Sequence, residues 1–186
     1  MEVFHLIWWG IWKKFRKMSG CPCEQEVQNP DYSPDVVKDN EMIGYVVLDP
    51  DHSKDGILTN AAFSHSKLKQ GDLSISRIQY TSADQVRQNI IDPQIERKPE
   101  RRFVGIFIVK CTKLRSMKAA YPKNSRAICV IDDGTANDNA HAVLSYSTHA
   151  EEQNYWSRND RYTVRANLID AFQKRGLLSL EEDFSF

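Results

Sequence analysis

The run Phe103–Val109, FVGIFIV, constrains this chain more than any other stretch. Seven nearly unbroken apolar residues, rich in β-branched and aromatic types, need a strand buried on both faces. Such a strand needs neighbours on each side and cover above and below, so the chain must build a sheet around it. Further runs supply neighbours near 43–48 (IGYVVL), 57–62, 73–78, 127–131 and 141–146. Residues 73–78, LSISRI, alternate apolar with polar, the mark of a half-buried strand.

Two helices interleave irregularly with these runs. Thr81–Ile91 opens on Ser82 as a cap, with Asp84 in the first turn and Val86 and Ile90 inward. Tyr162–Arg175 carries Val164, Leu168, Ala171 and Phe172 on one face and ends at Gly176. Ser64–Asp72 and Asp92–Arg102 read as polar connections, and Lys113–Lys118 as a single helical turn. This order predicts a single α+β domain. Its sheet is mixed or mostly antiparallel, with five or six strands and two main helices. The strand–helix rhythm of a doubly wound fold is missing, as are the common phosphate-loop, dinucleotide, zinc-protease and nucleophile-elbow motifs.

The division expected is 1–18 as an amphipathic helix, 19–41 as a flexible linker and 42–186 as the globular domain. Trp8, Trp9 and Trp12 are three of the four tryptophans. Phe4, Trp8, Trp12 and Phe15 share a helical face that Trp9 widens, and Lys13, Lys14, Arg16 and Lys17 follow. This apolar run is shorter than the roughly 20 residues that span a bilayer. Aromatic rings followed by cations suit docking on a protein partner, on a second copy, or peripherally on a membrane surface. Met18 offers an alternative start, which would make the segment a product of start-site choice. The linker assignment rests on Gly20, three prolines and few apolar anchors.

Charge is balanced, with 25 basic and 25 acidic residues, so general binding to nucleic acid is not expected. Without a secretory pattern the compartment is read as reducing and cytoplasmic, and disulfides are not expected among Cys21, Cys23, Cys111 and Cys129. Cys21-Pro-Cys23 can hold a metal only if ligands arrive from elsewhere. No cofactor and no metal is expected.

The densest cluster of chemical side chains lies in Arg126–Ser145, where two β runs flank a polar loop. His141, oriented by Asp132 or Asp133, is the candidate acid–base residue. Against this, Asp133-Gly134 is an ordinary turn signal, and His141 can simply brace the loop. His52, Asp55 and His65 would add to the cluster if their strands lie beside it. Arg97, Lys98, Arg101 and Arg102 form a candidate phosphate-facing patch, with a solvated loop as the plainer alternative.

Tyr45, Asp55-Gly56, Ala62-Phe63, Leu73-Ser74-Ile75 and His141-Ala142 resemble, in order and spacing, the motifs of a family of small uncharacterised bacterial proteins. The resemblance covers about Ile43 to Ser145. Val46 stands where many of those proteins have an arginine. The resemblance implies no activity.

Two functions are therefore expected as alternatives. One is a non-catalytic interaction or accessory protein, docking through its N-terminal helix and suited to a bacterial defence or conflict system. The other is a small enzyme or toxin-like effector, a transferase or hydrolase on a nucleotide-like substrate, using His141 with Asp132 and Asp133.

Overall fold

The computed structural model describes residues 21–119, 124–147, 156–174 and 176–181. The strands are β1 (Met42–Asp49), β2 (Ser53–Lys54), β3 (Ile57–Leu58), β4 (Leu73–Arg77), β5 (Arg102–Lys110), β6 (Ile128–Asp132), β7 (His141–Tyr146) and β8 (Leu177–Leu178). Six of them form one sheet in the order β6-β7-β4-β1-β5-β8, and β2 and β3 make a separate hairpin. Every pairing between these strands is antiparallel. The expected α+β class and six-stranded sheet are present among the described residues, and the run Phe103–Val109 lies inside the sheet as β5.

The sheet is covered on both faces, and β1 shows why all eight of its residues are buried. Its alternating side chains enter two different cores. Ile43, Tyr45 and Val47 join one cluster, and Met42, Val46 and Leu48 join the other. In β5, Phe107 and Val109 follow the first set, while Ile106 and Ile108 follow the second. Gly44 occupies the second face because a Cβ there would meet Ile78 and Ile106 at 2.5 and 2.9 Å.

The first face is closed by α5 (Arg158–Gln173), whose Val164, Leu168, Ala171 and Phe172 are buried. Burying Leu168 and Phe172 contributes about 1.5–3 kcal/mol each. This helix starts before Tyr162 because the Ser157 hydroxyl accepts from Asp160 N–H while the Asp160 carboxylate returns the bond to Ser157 N–H. Two short helices, α1 (His65–Gln70) and α4 (Cys111–Arg115), flank it. The first stands in the stretch expected to be a polar connection. Leu68 is its buried anchor, and Gly71, at φ 68°, ends it in the left-handed region.

The second face is covered by one continuous helix: α2 (Ala83–Val86), a π turn (Arg87–Ile91) and α3 (Asp92–Arg97). The expected helix end near Ile91 is thus corrected. Pro93 sits in the first turn of α3, directly after the π turn, and the chain stays helical through Arg97. The expected strand at 57–62 shrinks to two residues paired with β2 across the Asp55-Gly56 turn, where both residues take positive φ.

Residues 21–41, expected as a flexible linker, form a strap along the domain. Cys21 is joined to Cys129 of β6 in a disulfide that closes a loop of 108 residues. This corrects the expectation that the cysteines form no disulfide. Glu24 accepts from Val130 N–H, and Arg126 Nη2 lies 2.7 Å from its carboxylate, so the strap covers the outer edge of β6. Farther along, Glu41 is buried against Arg77. The N-terminal helix expected at 1–18, with Phe4, Trp8, Trp9, Trp12 and Phe15, lies outside the described residues. Among the described residues no helix is long and apolar enough to cross a membrane.

Candidate functional site

The sheet parts in its centre. β1 and β4 are paired only at Ile43–Arg77 and Gly44–Ser76, although β1 runs on to Asp49 and β4 begins at Leu73. Beyond Gly44 the two strands separate, and a cleft of about 760 Å³ opens between them. Consecutive residues line it, Tyr45 and Val46 from β1 and Leu73 to Ser76 from β4, as expected where strand edges form the floor. The roof is the π turn and α3, which present Gln88, Asn89, Pro93, Gln94 and Arg97. A π turn widens the helix locally and turns side chains out of the regular register, which is why such turns recur at functional sites. The volume lies within the range of roughly 300–1,000 Å³ usual for small-molecule sites.

One end wall is the loop between β6 and β7. Thr135 and Asp138 exchange backbone hydrogen bonds of 2.9 and 3.1 Å, and Asn89 Nδ2 donates to Asn137 O at 2.8 Å, tying roof to wall. Gly134 lets the strap approach closely here, because a Cβ would sit 3.1 Å from Cα of Ser33. His141, the first residue of β7, lines the cleft with a side chain 21% exposed. Its Nδ1 lies 3.0 Å from Asp133 O and 3.2 Å from Asp133 Oδ2. Both neighbours are acceptors, so Nδ1 carries the proton and, in the neutral ring, Nε2 holds the free lone pair. Nε2 has no partner among the described residues. Asp138 lies beside it, and burial pushes its carboxyl upward against the opposing effect of the His141 charge.

The cleft is also lined by cations. Arg101 is neutralised: its Nε donates to Asp51 Oδ2 at 2.8 Å, and its Nη1 to Gln94 O at 3.1 Å. The Arg101 hydrogen bond is the main reason the Asp51 carboxyl lies below its ordinary range. Arg97 and Lys67 also line the cleft, and neither side chain has an ion pair or hydrogen bond among the described residues. His52 stands near them, with its Nδ1 accepting from Leu48 N–H at 3.3 Å. The ring is therefore protonated on Nε2 when neutral. Burial, then the charge of Lys67, pushes its pKa down, so it stays neutral near pH 7.

The residues expected to work together are thus partly divided. Asp133 reaches the His141 ring, but Asp132 does not. Asp132 is 1% exposed and bound to Arg77 Nη1 at 2.8 Å, inside a buried ion cluster with Glu41. A carboxylate fixed there holds strands together and cannot orient the imidazole. Of the phosphate patch, Arg97 and Arg101 line the cleft; Lys98 turns to Asp51 at 3.5 Å, and Arg102, 81% exposed, lies near Asp49. His52 joins His141 in the cleft, whereas His65 packs against Tyr146. Lys67, Gln88 and Asn89 were not anticipated. Asn89 lies among the polar residues that Val86 and Ile90 leave on the helix, a weak signal for a site.

Cys21, Glu24 and Cys129 bring donor atoms within 4.8 Å of one another. The two sulfurs are bonded to each other, and the Glu24 oxygens are taken by Arg126, Arg115 and Val130 N–H, so the trio has no free donor for a metal. Several residues of the motif order described above meet at the cleft: Tyr45, Leu73, Ser74, Ile75 and His141 line it, and the Tyr45 hydroxyl donates to Ala62 O at 2.7 Å. Neither a family model, nor a curated protein, nor a solved structure matches the chain.

Proposed function

We propose that the cleft binds a small phosphorylated, nucleotide-like ligand and that His141 Nε2 acts on it as a general base, in a hydrolase or transferase reaction. The observation that carries this reading is the pairing of two kinds of group in one cleft. His141 presents an imidazole with its lone pair free, and Arg97 and Lys67 line the same cleft with no ion pair among the described residues. Cations of that kind bind a phosphate, and the amides of Gln88, Asn89 and Gln94 can donate to and accept from a base or sugar. In the reaction, Nε2 takes the proton of a water or hydroxyl whose oxygen attacks the electrophilic centre, the bond from that centre to the leaving group breaks, and the imidazolium returns the proton to the departing group. Asp133, across the ring, stabilises the imidazolium that forms. His52 offers a neutral ring near Lys67 and Arg101.

The test is calorimetric titration with nucleoside phosphates and inorganic phosphate, followed by turnover assays on any that bind. Arg97→Ala should weaken binding at least tenfold. His141→Gln should leave binding intact and lower turnover by about 10²–10⁴-fold. If no nucleoside phosphate binds the unaltered chain below millimolar concentration, the reading fails.

A second reading concerns the other end of the chain. The concentration of Trp8, Trp9 and Trp12 next to a basic cluster supports docking to a protein partner, a second copy or a membrane surface. A chain lacking Met1–Lys17 should then remain folded and lose association in sedimentation and vesicle-binding measurements. Retained association in both would remove it.

A further inference from the structure

The strap is attached to the candidate site by contacts that cleft chemistry does not require. Asn29 Nδ2 donates to Gly134 O at 2.9 Å, and Ser33 packs against the same glycine. Gly134 follows Asp133, whose carbonyl and carboxylate hold His141 Nδ1. At its C-terminal end the strap is fixed by Arg77, which donates to Asp35 O at 2.6 Å and to Glu41. At its N-terminal end it is fixed by the Cys21–Cys129 disulfide and by Glu24 on Arg126. Apolar burial adds little between these anchors: Cys21 and Val37 are the buried apolar side chains of residues 21–41. A segment that buries so little depends on its covalent and ionic ties to stay in place.

We propose that the Cys21–Cys129 disulfide is a redox latch on the cleft: closed, it holds the strap against Gly134 and so keeps Asp133 on His141; opened, it releases that loop. Opening is a two-electron exchange. A dithiol attacks one sulfur, the S–S bond breaks through a mixed disulfide, and the second thiol of the reductant displaces the protein sulfur. Two electrons and two protons leave two cysteine thiols in the protein and a disulfide in the reductant. The nearby Cys23 is a poor substitute for that reductant, because burial holds its thiol protonated at neutral pH. The functional consequence rests on the cleft reading above, but the structural coupling does not.

Hydrogen exchange on the full chain tests the latch without any ligand. Thiols are counted by alkylation under denaturing conditions, before and after treatment with dithiothreitol. Two free thiols before and four after are expected. Amide exchange at Asp133, Asp138 and His141 should speed up on reduction at least tenfold more than exchange in β1 and β5, whose change reports the global loss of stability. Asn29→Ala, with its disulfide intact, should accelerate the same three amides. Four thiols in the untreated chain, or loop exchange that after confirmed reduction speeds up no more than that of β1 and β5, would overturn the latch. If reduction unfolds the whole domain, Asn29→Ala decides alone, and unchanged loop exchange in it is the overturning result. None of these readouts depends on nucleotide binding, so the latch and the cleft reading can fail separately.

Discussion

Replacing Arg77 with methionine should be among the most damaging single changes in the domain. Arg77 is 0% exposed and sits on β4 beside the point where the sheet parts. Its Nε and Nη2 hold Glu41 at 2.7 and 2.8 Å, and its Nη1 holds Asp132 at 2.8 Å. Nη1 also donates to Asp35 O, and the guanidinium lies 4.6 Å from the centre of the Tyr80 ring. One cation therefore serves two buried carboxylates and ties strap, β4 and β6 together. Breaking a buried pair from one side costs about 3–5 kcal/mol, because the partner is left charged and dry. Two carboxylates are abandoned here, so Arg77→Met should cost at least about 3 kcal/mol, against a total of roughly 5–15 kcal/mol for a domain. Arg77→Lys should recover only part of this, since an ammonium cannot reproduce the bidentate fork on Glu41. The triple variant Glu41→Gln, Arg77→Met, Asp132→Asn should be more stable than Arg77→Met alone, because it removes the stranded charges. Urea denaturation followed by tryptophan fluorescence measures all three. A loss under about 1 kcal/mol for Arg77→Met, or a triple variant no better than the single, would refute the view that the cluster is dry and charge-compensated.

The remaining predictions concern the latch and the cleft. Cys21→Ser with Cys129→Ser should lower the free energy of unfolding by up to about 4.8 kcal/mol, the loop-closure value for 108 residues, read as a shift in urea midpoint. His141→Gln should move the melting temperature by less than about 2 °C, because the ring is an edge residue of the loop and not part of either core; a larger fall would make it a structural brace. His52 supplies a pH dependence. Its folded pKa lies below the ordinary value of about 6.5, so the unfolded chain binds the extra proton as pH falls through that value. Its contribution to stability is therefore full above about pH 7 and lost as pH falls from there toward the folded pKa. His52→Gln should flatten that part of the stability–pH curve, and an unchanged slope would show that the ring is not held neutral.

The fold was legible where burial is periodic. The run Phe103–Val109 declared a strand covered on both faces, and β1, β4, β6 and β7 lie within a residue or two of the apolar runs that announce them. Local polarity misled at α1 and α3. His65–Gln70 is short and has one buried anchor, Leu68, too few apolar positions to show a period. Asp92–Arg97 has no fully buried residue and contains a proline, so composition suggests a loop, yet it continues a helix already nucleated at Ser82. The strap was hidden for a different reason. A segment rich in proline and acids buries little of itself, and what holds it is a partner for Cys21 that lies 108 residues away.

The site was legible as a residue but not as a constellation. His141 stood out beside a polar loop, and adjacency in sequence paired it equally with Asp132 and Asp133. The sheet separates the two. Successive side chains of a strand point to opposite sides, so Asp132, the last residue of β6, turns in toward Arg77, while Asp133 has left the ladder and can turn toward the ring. Which acid goes inward depends on the Asp132–Ala142 register of β6 against β7. It depends equally on Arg77 having reached the same place from β4. Likewise Arg97 and Lys67 come from α3 and α1, thirty residues apart; the basic cluster marks Arg97, but nothing in the sequence pairs it with Lys67. They meet because β1 and β4 part beyond Gly44. That parting is a feature of pairing, and no single run of residues encodes it: each of the two strands reads as an ordinary one, and only the ladder between them stops short.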